Sequence, residues 1–118
     1  MTSIRRFGES KRWSDAVVHN GTAYWVEVAE SPALDARGQI AEVLGQIDAT
    51  LTMLGADRTR LLQVLVYLAD LADAPVLNEL WDAWVPADPP VRACVQAHLS
   101  AGYKVEMIIT AAMPSSLG

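Results

Sequence analysis

Apolar positions along this chain recur with two periods, and the change from one to the other marks out the elements. Ala16-Val17-Val18-His19 and Ala23-Tyr24-Trp25-Val26 flank Asn20-Gly21, a dipeptide in which both residues tolerate positive φ. This predicts a tight β-hairpin, closed by Ser31-Pro32. Ile40, Val43, Leu44, Ile47, Leu51 and Leu54 then recur at helical spacing. Asp35 stands where a capping side chain is needed, and Gly55 supplies a left-handed terminator. From Leu61 to Ala69 nearly every residue is apolar, which predicts a strand buried on both faces. A second helix follows, with Asp73 as its cap, Pro75 in its first turn, and Leu77, Leu80, Trp81 and Trp84 on one face. Pro86, Pro89 and Pro90 stop it.

The last third of the chain returns to period two. Val91 to His98 places Val91, Ala93, Val95 and Ala97 on one face and Arg92, Cys94, Gln96 and His98 on the other. Ser100-Ala101-Gly102 turns the chain into Tyr103 to Ala112, where Val105, Met107, Ile109 and Ala111 share a face. The predicted order is ββ-α-β-α-ββ, with a short extra strand near Ile4, in an α+β single domain over residues 1–113 and a loose tail over 114–118. Two helices cover one face of such a sheet, yet the strand from Leu61 is apolar on both. A second copy of the chain, packed sheet against sheet, is the simplest cover for the other face. Arg92, Cys94 and Gln96 are then expected to lie toward that junction.

Charge and cysteine content narrow the setting. The chain has 118 residues and a formal charge of -5, so its field repels phosphate backbones, a nucleic-acid partner would need a local basic patch, and none is expected. Arg5-Arg6 and Lys11-Arg12 are its only basic doublets. Cys94 is the single cysteine, which excludes an intrachain disulfide. No apolar run approaches the roughly 20 residues of a membrane span, and the first residues lack the apolar core of a signal peptide. A cytosolic protein is expected.

Arg92 carries the chemistry. A guanidinium that is always charged, set in an apolar strand, needs an anionic partner, because burying it unpaired costs several kcal/mol, on the order given for buried ions. Taken alone it fits a structural ion pair as well as a ligand anchor. Glu106, taken alone, reads as a solvated strand residue or a partner of Lys104. Cys94 has no adjacent base to activate it and reads as a small hydrophobe. His19 and His98 have no metal-ligand spacing, Trp81 and Trp84 read as core, and no histidine is placed by sequence beside Ser14-Asp15.

Arg12-Trp13-Ser14-Asp15-Ala16-Val17-Val18-His19-Asn20, Ile47-Asp48-Ala49, Leu68-Ala69-Asp70, Asn78 to Val85 and Pro90 to Glu106 resemble the Rid, or YjgF-like, reactive-intermediate deaminases, also labelled L-PSP endoribonucleases. The likeness is greatest to the branch often called Rid2, and the Pro-x-Arg-x-Cys run with a downstream Val-Glu is its specific part. The resemblance implies a chorismate-mutase-like fold and a homotrimer with sheets inward, helices outward and clefts between subunits. It implies that Arg92 grips a substrate carboxylate and that Glu106 positions the hydrolytic water. It also implies that Trp13 and Ser14 stand at the mouth of the pocket, that Asn78 is a pocket-side helix residue, and that Cys94 lines the cleft.

On this reading the chain hydrolyses small 2-imino or 2-enamino acids, such as 2-aminoacrylate or iminopropionate, to 2-keto acids and ammonia, with no cofactor and no metal. A planar bidentate guanidinium orients the substrate carboxylate, and a desolvated glutamate exchanges protons with water and leaving ammonia. Two alternatives stay open: a catalytically silent carboxylate-binding module and, less favoured by the acidic charge, an endoribonuclease. Two features depart from the family pattern. Val26-Glu27-Val28 stands where a small residue followed by Gly-Gln is usual, so Glu27 either enters the pocket or faces solvent. A simple hairpin turn near Ala101 sets Arg92 opposite Thr110 and not Glu106, so the two meet through a bulge or by another route, including across subunits.

Overall fold

The computed structural model describes residues 3–114; the expected loose tail lies, from residue 115 onward, outside the described residues. Strands β1 (Arg5–Phe7), β2 (Ala16–His19) and β3 (Thr22–Val28) lead into helix α1 (Ala36–Met53) and strand β4 (Leu61–Leu68). Helix α2 (Ala74–Trp84) and strands β5 (Val91–Gln96) and β6 (Val105–Ala112) follow. The architecture is α+β: a six-stranded mixed sheet in the order β1-β2-β3-β6-β4-β5, with both helices on one face.

Local chemistry explains most of the boundaries. Asn20 and Gly21 take φ values of 52° and 73°, the pair of left-handed residues that a two-residue hairpin needs. The turn pairs Val17 with Tyr24 and His19 with Thr22. Asp35 caps α1 by accepting the Gly38 N–H at 2.8 Å. At the other end Gly55 adopts φ 76°, and the Ala56 N–H reaches back to the Leu51 carbonyl at 2.8 Å, satisfying a carbonyl the helix leaves open. Asp73 does not cap α2 with its side chain. The chain is already helical at that residue, because a 3-10 turn over Leu71–Asp73 precedes α2, and Asp70 caps that turn by accepting the Ala72 N–H at 2.9 Å.

The last two strands do not form a hairpin. β4 lies between them, antiparallel to β6 and parallel to β5, with α2 as the crossover. A turn-like Ser100-Ala101-Gly102 leads the chain back past β4 to the middle of the sheet. Gln39 fixes this segment to α1. Although fully buried, its side-chain amide donates to the carbonyls of Pro32, Leu34 and Gly102 and accepts the Lys104 N–H, at 2.8 to 3.1 Å.

Side chains sort cleanly by face. Ala16, Val18, Ala23, Trp25, Val64, Val66, Leu68, Val105, Met107, Ile109 and Ala111 point under the helices and form one core with Ile40, Val43, Ile47, Leu51, Leu77 and Trp81. The opposite face is bare, although β4 was predicted to be buried on both. Tyr24, Val26, Val91 and Val95 are exposed there, Val91 to 69%, while Leu65, Tyr67 and Ile108 are half-buried. The molecule measures only 20 Å in its shortest dimension, enough for one sheet and one helix layer.

Candidate functional site

Arg92 lies on edge strand β5, on the face covered by α2. Its side chain reaches the α2 residues Asn78 and Trp81, which are neighbours on one side of that helix at i and i+3. Nη2 donates to Asn78 Oδ1 at 2.9 Å, and the guanidinium carbon sits 5.3 Å from the centroid of the Trp81 ring. Nη1 is buried and has no acceptor. Among the described residues Arg92 has no carboxylate partner; the two ion pairs found there are Arg37 with Glu79 and Arg58 with Asp48. Cys94, two residues along, is half-buried and packs against the core from the same face. This corrects the expected direction. Arg92 and Cys94 look toward α2, and it is Val91, Ala93 and Val95 that look toward the bare face.

The second group lies at the other end of the sheet. Beyond the short strand β2, the outer edge of β3 is left open, and an open cleft of about 680 Å³ occupies it. Trp13, Ser14 and Asp15 form one wall, Thr50 and Met53 of α1 the other, and Val26, Glu27 and Val28 the floor. Trp13 is 64% exposed and stands at the mouth. Glu27 enters this cleft. Its Oε2 accepts from Gln46 Nε2 at 2.9 Å and its Oε1 from Thr50 Oγ1 at 3.1 Å. Burial pushes its pKa above the usual glutamate value, and the hydrogen bonds from Gln46 and Thr50 only partly offset that rise.

Within one chain these residues do not converge. From β3 to β5 is three strand spacings, roughly 14 Å, too far for one small ligand to touch Arg92 and Ser14 together. Glu106 is no closer to Arg92. It pairs with Val28 and Tyr67, whereas Arg92 is aligned with Val64, and it projects on the bare face while Arg92 projects under α2. The structure therefore gathers Arg92, Asn78 and Cys94 at one edge and Trp13, Ser14 and Glu27 at the other, with Glu106 on the bare face between them.

Two features escaped the sequence. Trp81 is the platform of the Arg92 guanidinium as well as a core residue, and the signal for this was its i, i+3 relation to Asn78. Asp48 accepts two hydrogen bonds from Arg58, both at 2.8 Å, and one from the Trp84 indole at 3.1 Å. Arg58 also lies 5.0 Å from the Trp84 ring centroid, and Trp84 packs 5.5 Å from Trp81. This clamp steadies the end of α2 that carries the Arg92 platform. Among the described residues no group of three or more histidine, cysteine or acidic side chains is placed to hold a metal ion.

Comparison with known proteins assigns the fold a lineage. The family model described as Endoribonuclease L-PSP matches residues 3–113. The RutC family protein YoaB of Escherichia coli (strain K12) is 45% identical over 115 residues, covering 96% of this chain and all of that protein. A crystal structure of a member of the YjgF protein family from Neisseria meningitidis superposes with a TM-score of 0.90 at 40% identity, covering 96% of this chain and 97% of its own. The structure of RidA from an Antarctic Psychrobacter superposes with a TM-score of 0.80 at 27% identity, over 90% of this chain and 92% of its own.

Proposed function

Because the chain belongs to the Endoribonuclease L-PSP family, with RutC and YjgF relatives matched along nearly its whole length, we propose that it hydrolyses small 2-imino and 2-enamino acids to 2-keto acids and ammonia. One observation carries this reading. Arg92 is held by Asn78 and Trp81, has no carboxylate partner among the described residues, and keeps a buried Nη1 with no acceptor. An N–H left in that state costs about 1 to 3 kcal/mol, and a carboxylate that the guanidinium turns to meet, such as that of an amino-acid-derived imine, removes the cost. A relative at lower identity bears the name RidA, and another is named a reactive intermediate deaminase.

The chemistry suits the residues. A C=N carbon next to a carboxylate is already electrophilic, so orientation and proton exchange are what a protein has to add. Arg92 and Asn78 supply orientation, Cys94 shapes the adjoining wall, and Glu106 positions the water. The rest of the pocket comes from a second copy. Repeating the chain head to tail around a closed ring brings the β5 edge of one copy to the open β3 edge of the next, so that Arg92 faces Trp13, Ser14 and Glu27 across a junction. Three copies, with their bare apolar faces turned inward, bury the exposed valines at the same time. The lone Cys94 fits a reducing cytosolic setting.

The test generates 2-aminoacrylate or iminopropionate in situ and follows keto-acid release. Wild type is expected to accelerate release and Arg92→Ala is not; if both match the uncatalysed rate, the enzyme reading is lost for these substrates. The separation of Arg92 from Glu106 within one chain favours a second reading, a carboxylate-binding module without turnover. A 2-keto acid that raises the melting temperature of a protein inert toward imines selects it.

A further inference from the structure

Glu27 is the half-buried acid that the reaction above leaves unused. Each carboxyl oxygen accepts one hydrogen bond from α1, Oε2 from Gln46 and Oε1 from Thr50, so each keeps a lone pair for a proton or a ligand. The Gln46 amide is itself fixed, because Nε2 also donates to the Val28 carbonyl at 2.7 Å. The cleft is also lined by Trp13, Ser14, Val26, Val28 and Met53 and by the carboxylates of Asp15 and Glu30; among the described residues no cation lines it. Trp25 lies below, 4% exposed; its indole N–H makes no hydrogen bond of ordinary length but is near enough to Glu27 to oppose the rise in its pKa, as Gln46 and Thr50 do. Desolvation is the largest influence on Glu27, Glu30 adds to it, and together they favour the protonated form.

We propose that Glu27 is a catalytic acid of the inter-subunit cleft, the group that delivers a proton to the imine nitrogen. The role rests on the imine-hydrolase reading. The Glu27 carboxyl gives its proton to the C=N nitrogen. Water attacks the carbon, a C–O bond forms, and the π pair moves to nitrogen, while the resulting carboxylate takes the surplus proton from the attacking water. Glu27 then protonates the amino group of this carbinolamine. The C–N bond breaks, ammonia leaves with the electron pair, the hydroxyl oxygen forms the carbonyl, and its proton returns to Glu27. Imine and water go in, keto acid and ammonia come out, and the carboxyl group ends as it began.

The experiment compares wild type, Glu27→Gln and Thr50→Val on imines generated in situ from pH 5 to 9, with melting temperature as a check on folding. Glu27→Gln keeps the shape and the acceptor of the site. Its kcat is expected to fall about 100-fold or more, the usual scale of a lost general acid, while the melting shift produced by a 2-keto acid is unchanged. Wild type is expected to lose kcat as pH rises through the Glu27 pKa, and Glu27→Gln to lack that limb. Thr50→Val removes a hydrogen bond that stabilises the ionised form, so its limb is expected to move to higher pH, which a packing role does not produce. Glu27→Gln turning over within twofold of wild type, with the same pH profile, overturns the proposal and leaves the imine-hydrolase reading standing. A wild type that does not exceed the uncatalysed rate overturns both.

Discussion

Replacing Gln39 with leucine removes the polar bolt between α1 and the segment that leads into β6, at nearly constant volume. Three carbonyls, of Pro32, Leu34 and Gly102, lose their donor, and the Lys104 N–H loses its acceptor. One amide has two hydrogens for those three carbonyls, so one bond is shared and weak. At roughly 1 kcal/mol net for each of the four, less about 1 kcal/mol returned by an apolar side chain in a dry site, the expected loss is about 3 kcal/mol. Urea unfolding at one fixed protein concentration measures it, since the proposed self-association would add to apparent stability. Gln39→Glu is the sharper variant. Its carboxylate would face carbonyl oxygens, so it should hold its proton and be more destabilising at pH 8 than at pH 5. A loss below about 1 kcal/mol for Gln39→Leu would show that the carbonyls find other partners at little cost, and would refute the reasoning.

Three further outcomes are expected. Ile108→Lys places a charge in the middle of the bare sheet face and should convert the proposed ring to monomers in light scattering, with loss of imine turnover; an unchanged mass removes that face from the proposed interface. Asp48→Ala deprives Arg58 and the Trp84 indole of their acceptor, and should lower stability by about 1 to 2 kcal/mol after allowing for solvent screening of a half-exposed pair. Glu27 has a raised pKa in the folded state, so its contribution to stability is present below the unfolded value and is lost as pH rises through the folded one. Glu27→Gln should therefore gain melting temperature over wild type as pH rises from 5 to 8, and an advantage that shrinks over that range contradicts the sign.

Local signals in the sequence were sufficient where one residue decides the geometry. Asn20-Gly21 could only turn tightly, and Asp35 and Gly55 bracket α1 because capping and positive φ are properties of single side chains. Strand partners are different. Ser100-Ala101-Gly102 announces a turn without saying that β4 already occupies the place beside β5, because that depends on the α2 crossover and on long-range packing. The face of Arg92 departs from the expected one for a related reason. In a lone domain the apolar side of β5 faces the core, but here Val91, Ala93 and Val95 face the bare side while Arg92 and Cys94 face α2. An inverted pattern of this kind is what the proposed inter-subunit packing would require. The sequence leaves either side of β3 open to Glu27; its contacts with Gln46 and Thr50, both distant in sequence, decide its place.

The most direct test of a site shared between two chains is complementation. Arg92→Ala loses the carboxylate anchor, and Ser14→Trp fills the cleft at the β3 edge; each alone should be inactive toward in situ imine. Mixed in equal amounts and allowed to exchange subunits, with exchange confirmed by native mass spectrometry, they should regain about one quarter of wild-type turnover. In a head-to-tail ring, one junction in about four pairs an intact Arg92 with an intact cleft. A fully exchanged mixture as inactive as its parents would contradict the account.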